Sequence, residues 1–133
     1  MSAQLVEFRR DGKWVGAYPI PITRDVLEEG RERYEIYCAP CHGLLGYGDG
    51  IVAQRGFEGV QSLHLERVRN KPVGYYFDVI TNGRGAMYPY GSRIEPRQRW
   101  AIVAYVQVLQ HSQSVPAEEL ETQDREKLTE ATQ

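Results

Sequence analysis

Two cysteines and a histidine stand together at Cys38-Ala39-Pro40-Cys41-His42. Side chains three positions apart share one side of a helical turn. In that spacing both sulfurs reach the two vinyl groups along one haem edge. The histidine that follows is carried under the ring, where a neutral imidazole nitrogen binds iron. C-x-x-C-H is the attachment pattern of c-type haem. Thioether linkage uses both cysteines of the chain and leaves no thiol for a disulfide or a nucleophile. Two other chemistries lack support. A zinc site from Cys38, Cys41, His42 and His64 has no second ligand pair at the usual spacing, and a thioredoxin-like site needs a strand-helix-strand context that is not visible here.

The candidate for the opposite axial position is Met87, the only methionine besides Met1, forty-five residues after His42. Its neighbours in Gly83-Arg84-Gly85-Ala86-Met87-Tyr88-Pro89 are glycines, a tyrosine and a proline, not the apolar face of a helix that a core methionine would occupy. A soft thioether favours ferrous iron, raises the reduction potential and, with His42, closes the iron to substrates. His64 is the rival, by bis-histidine coordination at a lower potential. His111 suits the end of a helix, where a partial positive charge is favourable. Donors to the haem propionates are sought among Arg69, Arg84, Arg93, Tyr90 and Trp100, and a Tyr75 or Tyr76 hydroxyl is a candidate to bond the methionine sulfur.

The elements that must position these residues are read from periodicity. Thr23 is the N-cap of a first helix whose inner face is Val26, Gly30, Tyr34 and Cys38, at intervals of four. The charges of Glu28, Arg31, Glu32, Arg33 and Glu35 lie mostly away from that face and are expected to be solvated. Four glycines in Gly43-Leu44-Leu45-Gly46-Tyr47-Gly48-Asp49-Gly50 mark a tight loop, without the Gly-Lys-Ser/Thr of a phosphate loop. Residues 51–70 read as irregular, with a turn at Arg55-Gly56-Phe57 and a short helix near His64 to Arg69. In this region a backbone carbonyl is expected to take the second ring N–H of His42. Pro72 to Thr81 reads as a helix stopped by Asn82-Gly83. Glu95-Pro96 opens the last helix, apolar nearly all round from Trp100 to Leu109 and so buried on several sides. Trp100, Ala101, Ala104 and Tyr105 are the candidates to meet Gly30 and Tyr34.

The pattern Gly30-x-x-x-Tyr34-x-x-x-Cys38-x-x-Cys41-His42, with Met87 before a last helix, resembles class I cytochromes c over roughly 23–110. The resemblance implies an all-α fold around one covalent haem c, with first and last helices crossing near-perpendicularly beside it. It also implies a carrier of single electrons, not an enzyme, docking through a haem edge ringed by apolar and small residues. Family members often place a proline directly after the methionine; here Tyr88 stands there and Pro89 follows. The runs 74–83, 99–106 and 46–50, with Arg55-Gly56-Phe57, are similar to the monohaem cytochrome c subunit of bacterial alternative complex III, a respiratory membrane quinol oxidoreductase. That similarity implies a haem–copper oxygen reductase as acceptor. Two other readings stay open: the haem domain of a periplasmic dehydrogenase with an open sixth position, and an electron relay fixed inside a larger complex.

Length and composition bound the rest. One cytochrome c domain at 23–111 is expected, between an N-terminal extended arm at 1–22 and an acidic C-terminal tail at 112–133. Only 41% of residues are hydrophobic and mean hydropathy is −0.52, so a buried haem would supply much of the apolar core. In the arm, Asp11-Gly12 is a two-residue hairpin signal and Pro19-Ile20-Pro21-Ile22 is extended. Trp14 and Tyr18 are candidates to cover a haem edge or dock a partner, against the plainer reading that they pin the arm. The tail holds six acids against Arg125 and Lys127, net −4; the remainder holds twelve acids and fourteen bases, net +2. Leu120 and Leu128 are its candidates to pin a short helix. A net charge of −2 gives no sign of nucleic acid, and no apolar run is long enough to span a membrane. Covalent haem attachment takes place outside the cytoplasmic membrane, so the expected location is its periplasmic side. Met1-Ser2 is expected to stand where an export signal, and any lipid anchor, has been removed.

Overall fold

The computed structural model describes residues 3–113. The acidic stretch beyond Gln113 lies outside the described residues. Among the described residues are six helices and one small hairpin: β1 (Arg9–Arg10), β2 (Lys13–Trp14), α1 (Arg24–Tyr37), α2 (Ala39–His42), α3 (Ile51–Gln54), α4 (Glu66–Arg69), α5 (Val73–Asn82) and α6 (Pro96–Ser112), preceded by a 3-10 turn at Ala3–Val6.

α1 starts where the cap was expected. Thr23 is extended, and its hydroxyl accepts from the Val26 amide at 3.2 Å, satisfying a donor that the first turn would leave open. Arg24 with Glu28 and Arg31 with Glu35 pair along the exposed side. Val26, Gly30 and Tyr34 are buried against α6. The crossing depends on Gly30: a methyl group there would collide with the Ala101 carbonyl, so only hydrogen lets the two backbones approach. Tyr34 and Tyr105 fill the space beside it, ring centroids 5.4 Å apart. α6 is buried on several faces, as its composition requires, with Trp100, Ala101, Ile102 and Val103 all at 0% exposure.

The arm is part of the core. Asp11 (φ 53) and Gly12 (φ 77) turn the hairpin with two positive φ angles, the geometry that matches strand twist. Leu5 supplies the carbonyl for the Trp100 indole N–H at 2.9 Å. Phe8 lies 6.0 Å from Phe77, which stacks on Trp100 at 4.3 Å. The Gly74 amide donates to the Val15 carbonyl (2.9 Å), and a side chain at Gly74 would strike the Phe8 carbonyl. Trp14 bonds Asp78 and meets Tyr75 edge-on, and the Tyr18 hydroxyl donates to Gln107. Both aromatics therefore pin the arm. The stretch expected to be irregular carries one more helix, α3, whose first turn follows Gly50. A side chain at Gly50 would strike the Ala39 and Pro40 carbonyls, so the close return of the chain beneath α2 sets where α3 begins.

Candidate functional site: the C-x-x-C-H turn and the Met87 loop

Cys38 closes α1 and opens α2, its amide bonding the Tyr34 carbonyl at 2.8 Å and its carbonyl accepting from His42. One turn thus holds both cysteines and the histidine. Cys38 is buried, Cys41 half-buried, and neither is in a disulfide. Burial first, then the neighbouring Cys41 sulfur, pushes the Cys38 thiol up to about 12. The turn is fixed from below by the buried Tyr34 hydroxyl, which donates to the Gly43 carbonyl at 2.7 Å.

His42 directs Nδ1 at the Gln61 carbonyl, 3.2 Å away, within the segment where an acceptor was expected. Burial lowers the imidazole below its ordinary value, partly countered by that bond, so the ring is neutral at pH 7. With Nδ1–H engaged, Nε2 carries the free lone pair.

The loop bearing Met87 leaves α5 at Gly83 (φ 73), where a side chain would strike the Met87 carbonyl. A bond from the Met87 amide to the Arg84 carbonyl, 3.0 Å, shapes its tip, and Met87 is half-buried. The loop returns past the cysteines. Tyr90 packs on Tyr37 at 5.9 Å and on Tyr88 at 5.6 Å. Its phenol is held above its ordinary value first by burial, then by the adjacent Cys38 and Cys41.

Other candidates separate on partners. The indole N–H of Trp100 is taken by Leu5 and the ring is fully buried, so it is not a propionate donor. The Tyr76 hydroxyl donates to the Val68 carbonyl and accepts from Gln110, which commits it away from the methionine. Arg84 lies over Tyr75 at 5.6 Å and Arg93 over Tyr88 at 5.1 Å, both exposed, as is Arg69. His64 points Nε2 at the Leu45 carbonyl, 2.6 Å away, and packs against Tyr47 at a tilt, ring centres 4.3 Å apart, so it serves the packing of the glycine-rich loop. Among the described residues no three His, Cys, Asp or Glu side chains gather as a metal-binding group.

Arg99 was missed by sequence reasoning. It lies in the buried part of α6 at 8% exposure and reaches the Met87 loop. The available signal was a charge directly before the apolar run that starts at Trp100, since a buried charge must find partners.

These residues fit a c-type haem. Two thiols and an imidazole nitrogen share one turn, and Leu44, Leu45, Tyr47, Ile51 and Val52, in the chain just after it, are exposed apolar residues. No described helix is long and apolar enough to cross a membrane.

Comparison with known proteins agrees. No curated protein matches the chain. Among solved structures it is similar to the reducing HAO-like protein complex of Kuenenia stuttgartiensis, with a TM-score of 0.58 and 22% identity over 80% of this chain. The match spans 54% of that solved chain and shows the fold. Residues 25–106 match the family described as cytochrome c oxidase, cbb3-type, subunit III. Those residues hold the C-x-x-C-H turn, the Met87 loop and most of α6, and the chain belongs to that family of c-type cytochrome domains.

Proposed function

We propose that this cytochrome carries single electrons on one haem, joined covalently through Cys38 and Cys41 and ligated by His42 and Met87. The observation that carries the reading is the C-x-x-C-H turn inside the family match, with His42 Nδ1 already bonded to Gln61. When bound, the haem supplies a one-electron ferric–ferrous couple. The chain binds and tunes it. The Gln61 carbonyl fixes the tautomer and direction of His42 and makes Nε2 the more basic nitrogen. The Met87 thioether would favour the ferrous state, and together with His42 it would close the iron to substrates. Arg69, Arg84, Arg93 and Tyr90 are the remaining donors for the propionates.

The electron-transfer unit is 23–111, flanked by the arm and by the acidic tail. On the periplasmic side of the membrane its donor would be a quinol oxidoreductase of the alternative complex III type, of which it would be a subunit. Its acceptor would be a haem–copper oxygen reductase. The runs at 46–50, 55–57, 74–83 and 99–106 support that assignment.

The test is the ferrous optical spectrum before and after carbon monoxide. No change is expected; a CO-bound spectrum would favour a dehydrogenase haem domain. In Met87→Ala the iron should bind carbon monoxide, and the potential should fall by a sizeable part of the roughly 0.8 V that axial ligands span. An unchanged potential would remove Met87 from the site. Stopped-flow mixing of the reduced cytochrome with a haem–copper oxygen reductase should give rapid oxidation, whereas no transfer would favour a relay fixed inside a complex.

A further inference from the structure

We propose that Arg99 is a positioning residue for Met87, its guanidinium tying together both ends of the ligand loop so that the thioether stays at the iron. The proposal rests on Met87 being the axial ligand.

Three acceptors meet this one side chain. Nε donates to the Ile94 carbonyl at 2.8 Å, Nη2 to the Gly91 carbonyl at 2.8 Å, and Nη1 to the Thr81 hydroxyl at 3.1 Å. Thr81 lies in the last turn of α5, where the loop departs, and its hydroxyl also donates to the Phe77 carbonyl at 2.7 Å. Gly91 and Ile94 lie where the loop arrives at α6. Met87 is therefore carried on a short excursion whose two feet are held by one planar fork. Two backbone bonds lie alongside it, Tyr90 N–H to the Ile80 carbonyl (2.8 Å) and Gly91 N–H to the Thr81 carbonyl (3.0 Å).

Arg99 has no carboxylate partner among the described ion pairs. Its acceptors are two carbonyls and a hydroxyl, and its plane sits 5.3 Å from the centre of the Phe77 ring. A buried cation with this arrangement is costly unless every bond is made, so it resists displacement of the groups it holds. The fork also explains the residue type. A guanidinium offers donors in fixed coplanar directions and stacks on a ring face, whereas an ammonium is a compact, strongly hydrated point charge. Lysine would keep the charge and lose the geometry.

The experiment measures imidazole affinity for the ferric iron of the haem-loaded protein, with hydrogen exchange at the Gly91 and Ile94 amides as an independent readout. In Arg99→Lys and Arg99→Met, imidazole should bind at least tenfold more tightly, and both amides should exchange faster. If Arg99→Lys behaves as the unaltered protein, charge alone suffices and the proposal is overturned. Gly74→Ala, which loosens the arm, is the control for general destabilisation. It should leave imidazole affinity unchanged, and an equal rise there would overturn a specific role for Arg99. Should the Arg99 variants not fold, Thr81→Val removes one acceptor and should raise affinity about threefold; no rise would overturn the proposal. Met87→Ala separates the two readings. If it does not open the iron to imidazole, ligation by Met87 fails; if it does and Arg99→Lys does not, only the positioning role fails.

Discussion

Tyr34 shows how much one hydroxyl can carry. It is fully buried and is bonded to the Gly43 carbonyl just past the haem-binding turn. Tyr34→Phe leaves that carbonyl without its partner, a loss of about 1–3 kcal/mol that equilibrium unfolding of the haem-loaded protein would measure. The phenol also sets a pH dependence. Burial lifts Tyr34, and likewise Tyr18, above the ordinary tyrosine value. Above pH of about 10 the unfolded chain releases these protons while the folded chain keeps them, so stability falls as pH rises. Unfolding curves between pH 7 and 11 should show that fall, with a shallower slope above 10 in Tyr34→Phe.

Among the helices, the α1–α6 crossing opposes local preference with tertiary contact. On an isolated helix, alanine at position 30 would be favoured over glycine by about 1 kcal/mol. In the fold the added methyl meets the Ala101 backbone, which cannot rotate away as a side chain would. Gly30→Ala should therefore destabilise by about 2 kcal/mol, typical of overpacking, and thermal unfolding would read the sign directly. The class of each long helix was legible in the sequence because the 3.6-residue periodicity and the caps at Thr23, Pro72 and Glu95 are local signals. α3 was not legible. It is a single turn whose start is set by the close packing of Gly50 beneath α2, a contact that leaves no trace in the pattern of residues 51–54.

Over the whole molecule, the arm completes the core on the side of α5 and α6 that the haem-binding turn does not cover. Leu5, Phe8 and Val15 add an apolar layer over Phe77 and Trp100. Gly74 is the opening that admits it. Gly74→Ala should strike the Phe8 carbonyl, lift the arm and cost on the order of 2 kcal/mol. Limited proteolysis between Val15 and Pro21 should then accelerate. Unchanged cleavage would mean that the arm does not depend on this contact.

The amino-acid sequence by itself determined the chemistry on offer. Cys38, Cys41 and His42 are adjacent in the chain, so one helical turn is enough to group them, and a lone methionine among glycines and tyrosines advertises itself without any fold. Gly30, Tyr34 and Tyr105 could be paired because each sits at a periodic position on a long helix. The tertiary structure alone decided which polar groups serve the site. Trp100 looked free to donate to a propionate until Leu5, ninety-five residues earlier, was found at its indole N–H. The role of Arg99 became visible only when Thr81, Gly91 and Ile94 converged on it. A hydrogen bond is directional and short, and partners so far apart in the chain become neighbours only when the helices and the arm have packed.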